Sequence, residues 1–136
     1  MFPALDIAAS GLAAQRLRMT AVSNNLANIS TTRNELGEPE AFQPRFVVFQ
    51  TDEAVGDTLG AAGVKVSSVE TSNMPPLSKY EPFHPDANAK GYVQYPNINM
   101  MSEFVNALEA SRSYEANVGV IEVSKELAQQ TLRILA

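Results

Sequence analysis

Apolar residues recur at helical spacing at both ends of the chain, and the stretch between them lacks that rhythm. Leu5, Leu12, Met19 and Leu26 repeat every seven residues, with Ala8, Gln15, Val22 and Ile29 at the second seam position and Gln15 as its one polar break. This pattern predicts a helix over 3–29 with a heptad seam of the coiled-coil kind. Pro3 suits the first turn, where a missing N–H costs nothing. The opposite side of the same helix carries Ala9, Ser10, Ala13, Ala14, Leu17, Ala21, Asn24, Ala27 and Asn28, with Asp6 its one charge. A solvated face would normally be charged. A face of Ala, Ser and Asn lets another backbone come close, which would compensate Gly11 for its ~1 kcal/mol loss of helix propensity. The alternative is an alanine-rich helix buried within one domain. Asn24, Asn25 and Asn28 read either as a frayed helix end or as polar anchors that cap the helix and bond neighbouring backbone.

The second helix is expected from Met100 to Ala136, with Asn97 or Asn99 as N-cap and Glu103 favouring the first turn. Met100, Ala107, Tyr114, Ile121, Ala128 and Leu135 repeat at seven, beside Phe104, Ser111, Val118, Lys125 and Leu132. A second stripe of Val105, Ala116, Val120, Val123, Leu127 and Ile134 runs roughly 150° away on a wheel of 100° per residue. The first stripe can pair with the N-terminal helix in an antiparallel hairpin. The second then needs another partner, or the middle of the chain folded back over it. Five large apolar side chains at about 1.5–3 kcal/mol each give an upper bound near 8–15 kcal/mol, enough to exceed the several kcal/mol that association costs.

Seven of the eight prolines fall between residues 33 and 96, which excludes helix from most of that stretch. Strands are expected at Arg45–Gln50, Gly63–Glu70 and Gly91–Tyr95, with a loop at Asp52–Ala62. The fold class is therefore mainly α: two long terminal helices in an antiparallel coiled-coil-like hairpin with a small irregular or β insertion. The expected units are 1–32, 33–96 and 97–136.

Composition narrows the chemistry. Charged residues make up 18% of the 136 positions and the net charge is −5, which argues against nucleic acid as a partner. Nine carboxylates against five bases lie between Arg33 and Lys90. The absence of cysteine removes disulfides, thiolate metal sites and cysteine nucleophiles. No run of 18 apolar residues predicts a membrane span, and the first residues lack the basic and apolar regions of a secretory signal. His84, the one histidine, cannot build a zinc site alone. Asp86–Gly91 mimics half of an EF-hand loop, but Asn97 stands where a carboxylate is needed; it reads as a turn with Gly91 at positive φ. No cofactor, metal or small-molecule substrate is expected. A hydrolase site in the middle segment has no residues that single it out.

Specific motifs carry a resemblance. Ser10-Gly11-Leu12-x-Ala14-Gln15-x-x-x-Met19, followed by Ser23-Asn24-Asn25-Leu26-Ala27-Asn28, resembles the N-terminal signature of bacterial flagellar rod and hook proteins. Asn88-Ala89-x-Gly91-Tyr92-Val93-x-Tyr95-Pro96-Asn97-Ile98-Asn99, then Glu103 and Ala110-Ser111-Arg112-Ser113-Tyr114-Glu115-Ala116-Asn117, is similar to the proximal-rod members of that family. The chain departs from relatives after Thr32, where Leu36-Gly37-Glu38-Pro39-Glu40 replaces a Gly-Gly-Pro-Tyr-like turn.

The resemblance implies a non-enzymatic axial subunit of the basal body. Its partners would be other rod proteins, copies of itself and the flagellar type III export apparatus, with no cleaved signal and a place in the periplasm. The alternative is a soluble coiled-coil interaction module in the cytoplasm. Residues expected at helix packing or subunit contacts are Leu5, Leu12, Leu17, Met19, Val22, Asn24, Asn25, Leu26, Asn28 and Ile29 on the first helix. On the second they are Phe104, Tyr114, Asn117, Val118, Val120, Ile121, Leu127, Leu132 and Leu135. The terminal helices are expected to be frayed in the lone chain and ordered in the assembly. Arg16 and Arg18 are expected to meet Glu103, Glu109 or Glu115 of neighbours and so to set register. Reversing the charge at Arg16 should weaken assembly, seen as reduced motility and rod formation; unchanged motility would refute the pairing.

Overall fold

Helix α1 runs from Pro3 to Ala27. It ends where the polar run Asn24–Asn28 offers the backbone alternatives to continuing: Asn28 donates its side-chain amide to the Asn24 carbonyl at 2.9 Å, and Thr31 bonds the Asn28 side chain. At the far end of the chain, Asn99 caps α2 (Met100–Leu135) by accepting from the Ser102 N–H at 3.2 Å. The computed structural model describes residues 3–55 and 60–135.

The two helices pack antiparallel. Gly11 faces Asn117, Arg18 faces Asn106 and Glu109, and Asn25 faces Glu103. The contact line is made of small residues. Ala8, Gly11, Ala14, Ala21, Val22 and Asn25 are the buried positions of α1, and Ala110 is that of α2. The heptad leucine seam is not what the pairing buries. Leu5, Leu12, Met19 and Leu26 are half-buried, as are Ile29, Tyr114, Val118 and Ile121. The physical reason is reach: alanine and glycine let the backbones approach until larger side chains on either flank are pushed aside. Gly11 packs closely on the Asn117 side chain, since a Cβ there would lie 2.9 Å from both the Nδ2 and Oδ1 of Asn117.

Among the described residues the insertion holds four strands rather than the expected three. Strands β1 (Arg45–Asp52) and β2 (Gly63–Thr71) form an antiparallel hairpin that packs on α1. Val48 pairs with Ser68 and Phe49 with Val66, so Ser67 forms a bulge. The expected loop at 52–62 begins one residue later, and its residues 56–59 lie outside those described. The unforeseen strand β3 (Leu77–Tyr80) pairs with β4 (Tyr92–Tyr95). Four residues between Pro75-Pro76 and Pro82 are too short to show alternation. Gly91 has φ 79°, as the turn reading required, and Asn88 accepts there from the N–H groups of Lys90 and Tyr92. The variant loop after Thr32 is also a hairpin turn. Gly37 has φ 79°, and Asn34 Oδ1 accepts from the N–H groups of Leu36 and Glu38.

Gly11→Ala should lower stability by about 1 kcal/mol, as overpacking against Asn117 outweighs the gain in helix propensity. Adding Asn117→Ala should recover the loss, because the clash partner is gone. Urea unfolding of the two variants checks this; equal destabilisation of single and double variants would contradict it.

Candidate subunit interface

Many large apolar residues of α2 lie outside its buried contact with α1. Met101, Val105, Leu108, Val123, Leu127 and Ile134 are all exposed, Ile134 at 85%. At 100° per residue they fall on one stripe centred roughly 140° from Ala110, interrupted by Arg112. Periodicity had picked out Val105, Ala116, Val120, Val123, Leu127 and Ile134; Met101 and Leu108 extend that stripe to the start of the helix, and Phe104 borders it at 53% exposure. The signal that would have included them is the i, i+3, i+4, i+7 spacing of Met101, Phe104, Val105 and Leu108.

A second apolar surface arises because the helices differ in length. At 1.5 Å per residue α2 is about 54 Å long and α1 about 37 Å. Leu132 and Leu135, on the side facing α1, are exposed at 67% and 79%. Pro3 and Ala4 meet Ser124, Leu127, Ala128, Thr131 and Leu132 around an open, mostly apolar groove of about 520 Å³. Leu17 on α1 is exposed at 38%, and Asn24 is exposed, whereas Val22 and Asn25 are already covered within the chain.

Charge at this surface differs from expectation in one respect. Arg18 is spent inside the subunit: it reaches Glu109 at 2.9 Å and Asn106 at 3.3 Å. Antiparallel packing puts the two helices' charges opposite each other, so the expected contact with a neighbour's Glu109 is made at home. Glu103 likewise accepts from Asn25. Arg16 is exposed.

A polar latch, missed from sequence, ties the β3–β4 hairpin to the segment that follows α1. The Asp86 side chain is 4% exposed; Thr32 donates to its Oδ2 at 2.7 Å, and Arg33 Nε lies 2.6 Å from Oδ1. The Thr32 hydroxyl and then the Arg33 charge hold the Asp86 carboxyl below the usual carboxylate range, against the opposing effect of desolvation. Tyr95 donates to Glu81 at 2.8 Å and Lys79 pairs with Glu81 at 2.6 Å, which lowers Glu81 and raises Tyr95 and Lys79. These groups bond one another in structural pairs. Among the described residues no group of three His, Asp or Glu side chains could hold a metal, and no described helix is long and apolar enough to cross a membrane.

Comparison with known proteins places this architecture. Residues 5–33 match the family described as flagella basal body rod protein, and residues 89–134 match the flagellar basal body rod FlgEFG protein C-terminal family. The flagellar basal-body rod protein FlgC of Salmonella typhimurium is 43% identical over 95% of this chain and 93% of its own length. The FlgC protein of Borreliella burgdorferi is 39% identical over 99% and 97%. That of Bacillus subtilis is 37% identical over 98% and 97%. The chain belongs to the FlgC family. As in that family, it is a structural rod subunit of the flagellar basal body and not an enzyme. The two matched regions cover α1 and the span from Ala89 through most of α2, the elements that carry the exposed apolar surface.

The latch has a definite pH dependence. A depressed folded pKa contributes stability that is present above the ordinary aspartate value of about 3.9 and lost as pH falls through the lower folded value. Asp86→Asn should therefore lower the melting temperature at pH 7 and flatten its fall between pH 5 and pH 2. Thermal melts across that range check this; an unchanged slope would show that Asp86 carries none of the acid sensitivity.

Proposed function

We propose that this chain is a subunit of the proximal rod, built into a helical tube with other rod proteins and further copies of itself, and that it passes torque along that tube. The single observation that carries the reading is the outward stripe of α2, from Met101 to Ile134, on a chain of this family. One apolar face packs on α1 and the other is left for a neighbour. Because the two faces are unlike, each subunit meets the next through a heterologous contact, and such contacts that do not close into a ring generate a tube.

In this reading residues 1–32 and 97–136 form the rod core and 33–96 an insertion on its outside. The half-buried seam of Leu5, Leu12, Met19 and Leu26 completes its coiled-coil packing against neighbouring helices. So do Phe104, Val120, Leu127, Leu132 and Leu135 on α2. The subunit travels through the flagellar type III route without a cleaved signal and assembles in the periplasm. Helix ends that lack cover in the lone chain gain order on assembly.

Val123→Asp and Leu127→Asp test the reading. Both side chains are more than half exposed, so the lone variants should unfold within about 0.5 kcal/mol of the parent. Neither variant should complete a rod or support swimming, and basal bodies purified from such cells should lack the chain. Normal rods with both variants, or basal bodies of the parent strain without this chain, would overturn the proposal and favour a cytoplasmic coiled-coil module.

A further inference from the structure

Two polar side chains of α1 tie down the β1–β2 hairpin at opposite ends. Asn25 is 3% exposed. Its Oδ1 accepts from the Arg45 N–H at 2.8 Å, and its Nδ2 donates to the Arg45 carbonyl at 2.8 Å. The primary amide thus offers the first residue of β1 what a neighbouring strand would: one acceptor and one donor, side by side. Nδ2 also donates to Glu103 Oε2 at 3.2 Å, which joins α2 to the same knot. At the other end the Ser10 hydroxyl donates to the Ile7 carbonyl at 2.7 Å and accepts from the Val64 N–H at 3.1 Å. Its donor is held within the helix, so its lone pair is aimed at β2.

The spacing of the pins matches the hairpin. Fifteen residues of helix from Ser10 to Asn25 span about 22 Å at 1.5 Å per residue. Six residues of β1, from Arg45 to Thr51 opposite Val64, span about 20 Å at 3.4 Å per residue. The strand therefore runs back along α1 and is fixed at both its ends. Gly63 is the third part of the device. A Cβ there would lie 2.8 Å from Ser10 Oγ and 2.8 Å from the Val55 side chain, so only glycine lets the strand come within bonding distance of the pin.

We propose that Ser10 and Asn25 are positioning residues that clamp the hairpin in one register along α1, so that insertion and helices turn as a single body. Their polar chemistry serves a joint inside the subunit rather than a contact between subunits. The inference rests on the reading that the subunit carries load in the rod, yet it is testable on the lone chain.

The chain has no native cysteine, so spin labels can be placed cleanly. Labels at Gln50 and Glu115 report hairpin against α2, and labels at Arg16 and Glu115 report helix against helix. With Ser10 and Asn25 intact, both pairs should give one narrow distance peak. Ser10→Ala with Asn25→Ala should broaden the hairpin distance while the helix pair stays narrow. Gly63→Ala should act like Ser10→Ala, and Ser10→Thr, which keeps the hydroxyl, should preserve the narrow peak. A broad hairpin distance in the intact chain overturns the clamp, whatever the variants do. A hairpin peak that stays narrow in the double variant overturns it too. Rod entry is a separate readout: a clamped chain that fails to join the rod would defeat the proposed function and leave the clamp standing.

Discussion

Everything in this subunit follows from how closely α1 and α2 approach. The line of contact is built from Ala8, Gly11, Ala14, Ala21 and Ala110, with Asn117 pressed onto Gly11. Small residues bury little apolar area each, so this pairing is a matter of shape more than of hydrophobic mass. Its consequence is an inverted distribution of side chains. The small ones are inside, and Met101, Val105, Leu108, Val123 and Leu127 are outside. A soluble monomer with a free choice of partners would bury the large ones. An exposed apolar surface of this extent marks an interaction site, and in the proposed rod neighbouring subunits would cover it.

The polar residues of the terminal segments have a complementary task. Ser10 and Asn25 lie within α1, where alanine would serve the helix better, and Asn28 and Asn99 stand just outside α1 and α2, where asparagine suits a helix end. Each uses its side chain on backbone: Val64, Arg45, Asn24 and Ser102 respectively. Their buried bonds are satisfied, which is the condition for placing polar groups beneath a hairpin at all. Asp86 is held by one hydrogen bond, from Thr32, and by the Arg33 charge beside Oδ1, which joins the second hairpin to the segment after α1.

Much of this was legible in the residues. Proline placement located the insertion, and seven-residue repeats located both helices to within two residues. Short runs rich in Val, Phe and Tyr located β1, β2 and β4, and β2 also alternates. Gly91 declared its turn by type alone, and the cap of α2 was narrowed to Asn97 or Asn99, of which Asn99 makes the bond. What stayed hidden depended on partners distant in sequence. A wheel shows that α1 has a leucine side and an alanine side but cannot say which one α2 takes, because that depends on how residues such as Gly11 and Asn117, distant in sequence, meet. Arg18 looked available to neighbours until the antiparallel register set Glu109 opposite it. Asp86 looked like a turn residue because Thr32 and Arg33, fifty residues earlier, give no local sign of facing it. β3 was too short to show a period.

The central claim is that apolar surface along α2 and at the chain ends is left for sibling subunits. Amide hydrogen exchange, compared between the lone chain and the assembled rod, tests it most directly. The account predicts fast exchange near the start of α1 and over the last turns of α2 in the lone chain, where Leu132 and Leu135 are mostly exposed, and strong protection of the same amides in the rod. Strong protection throughout 5–29 and 100–135 in the lone chain, with nothing gained on assembly, would contradict it.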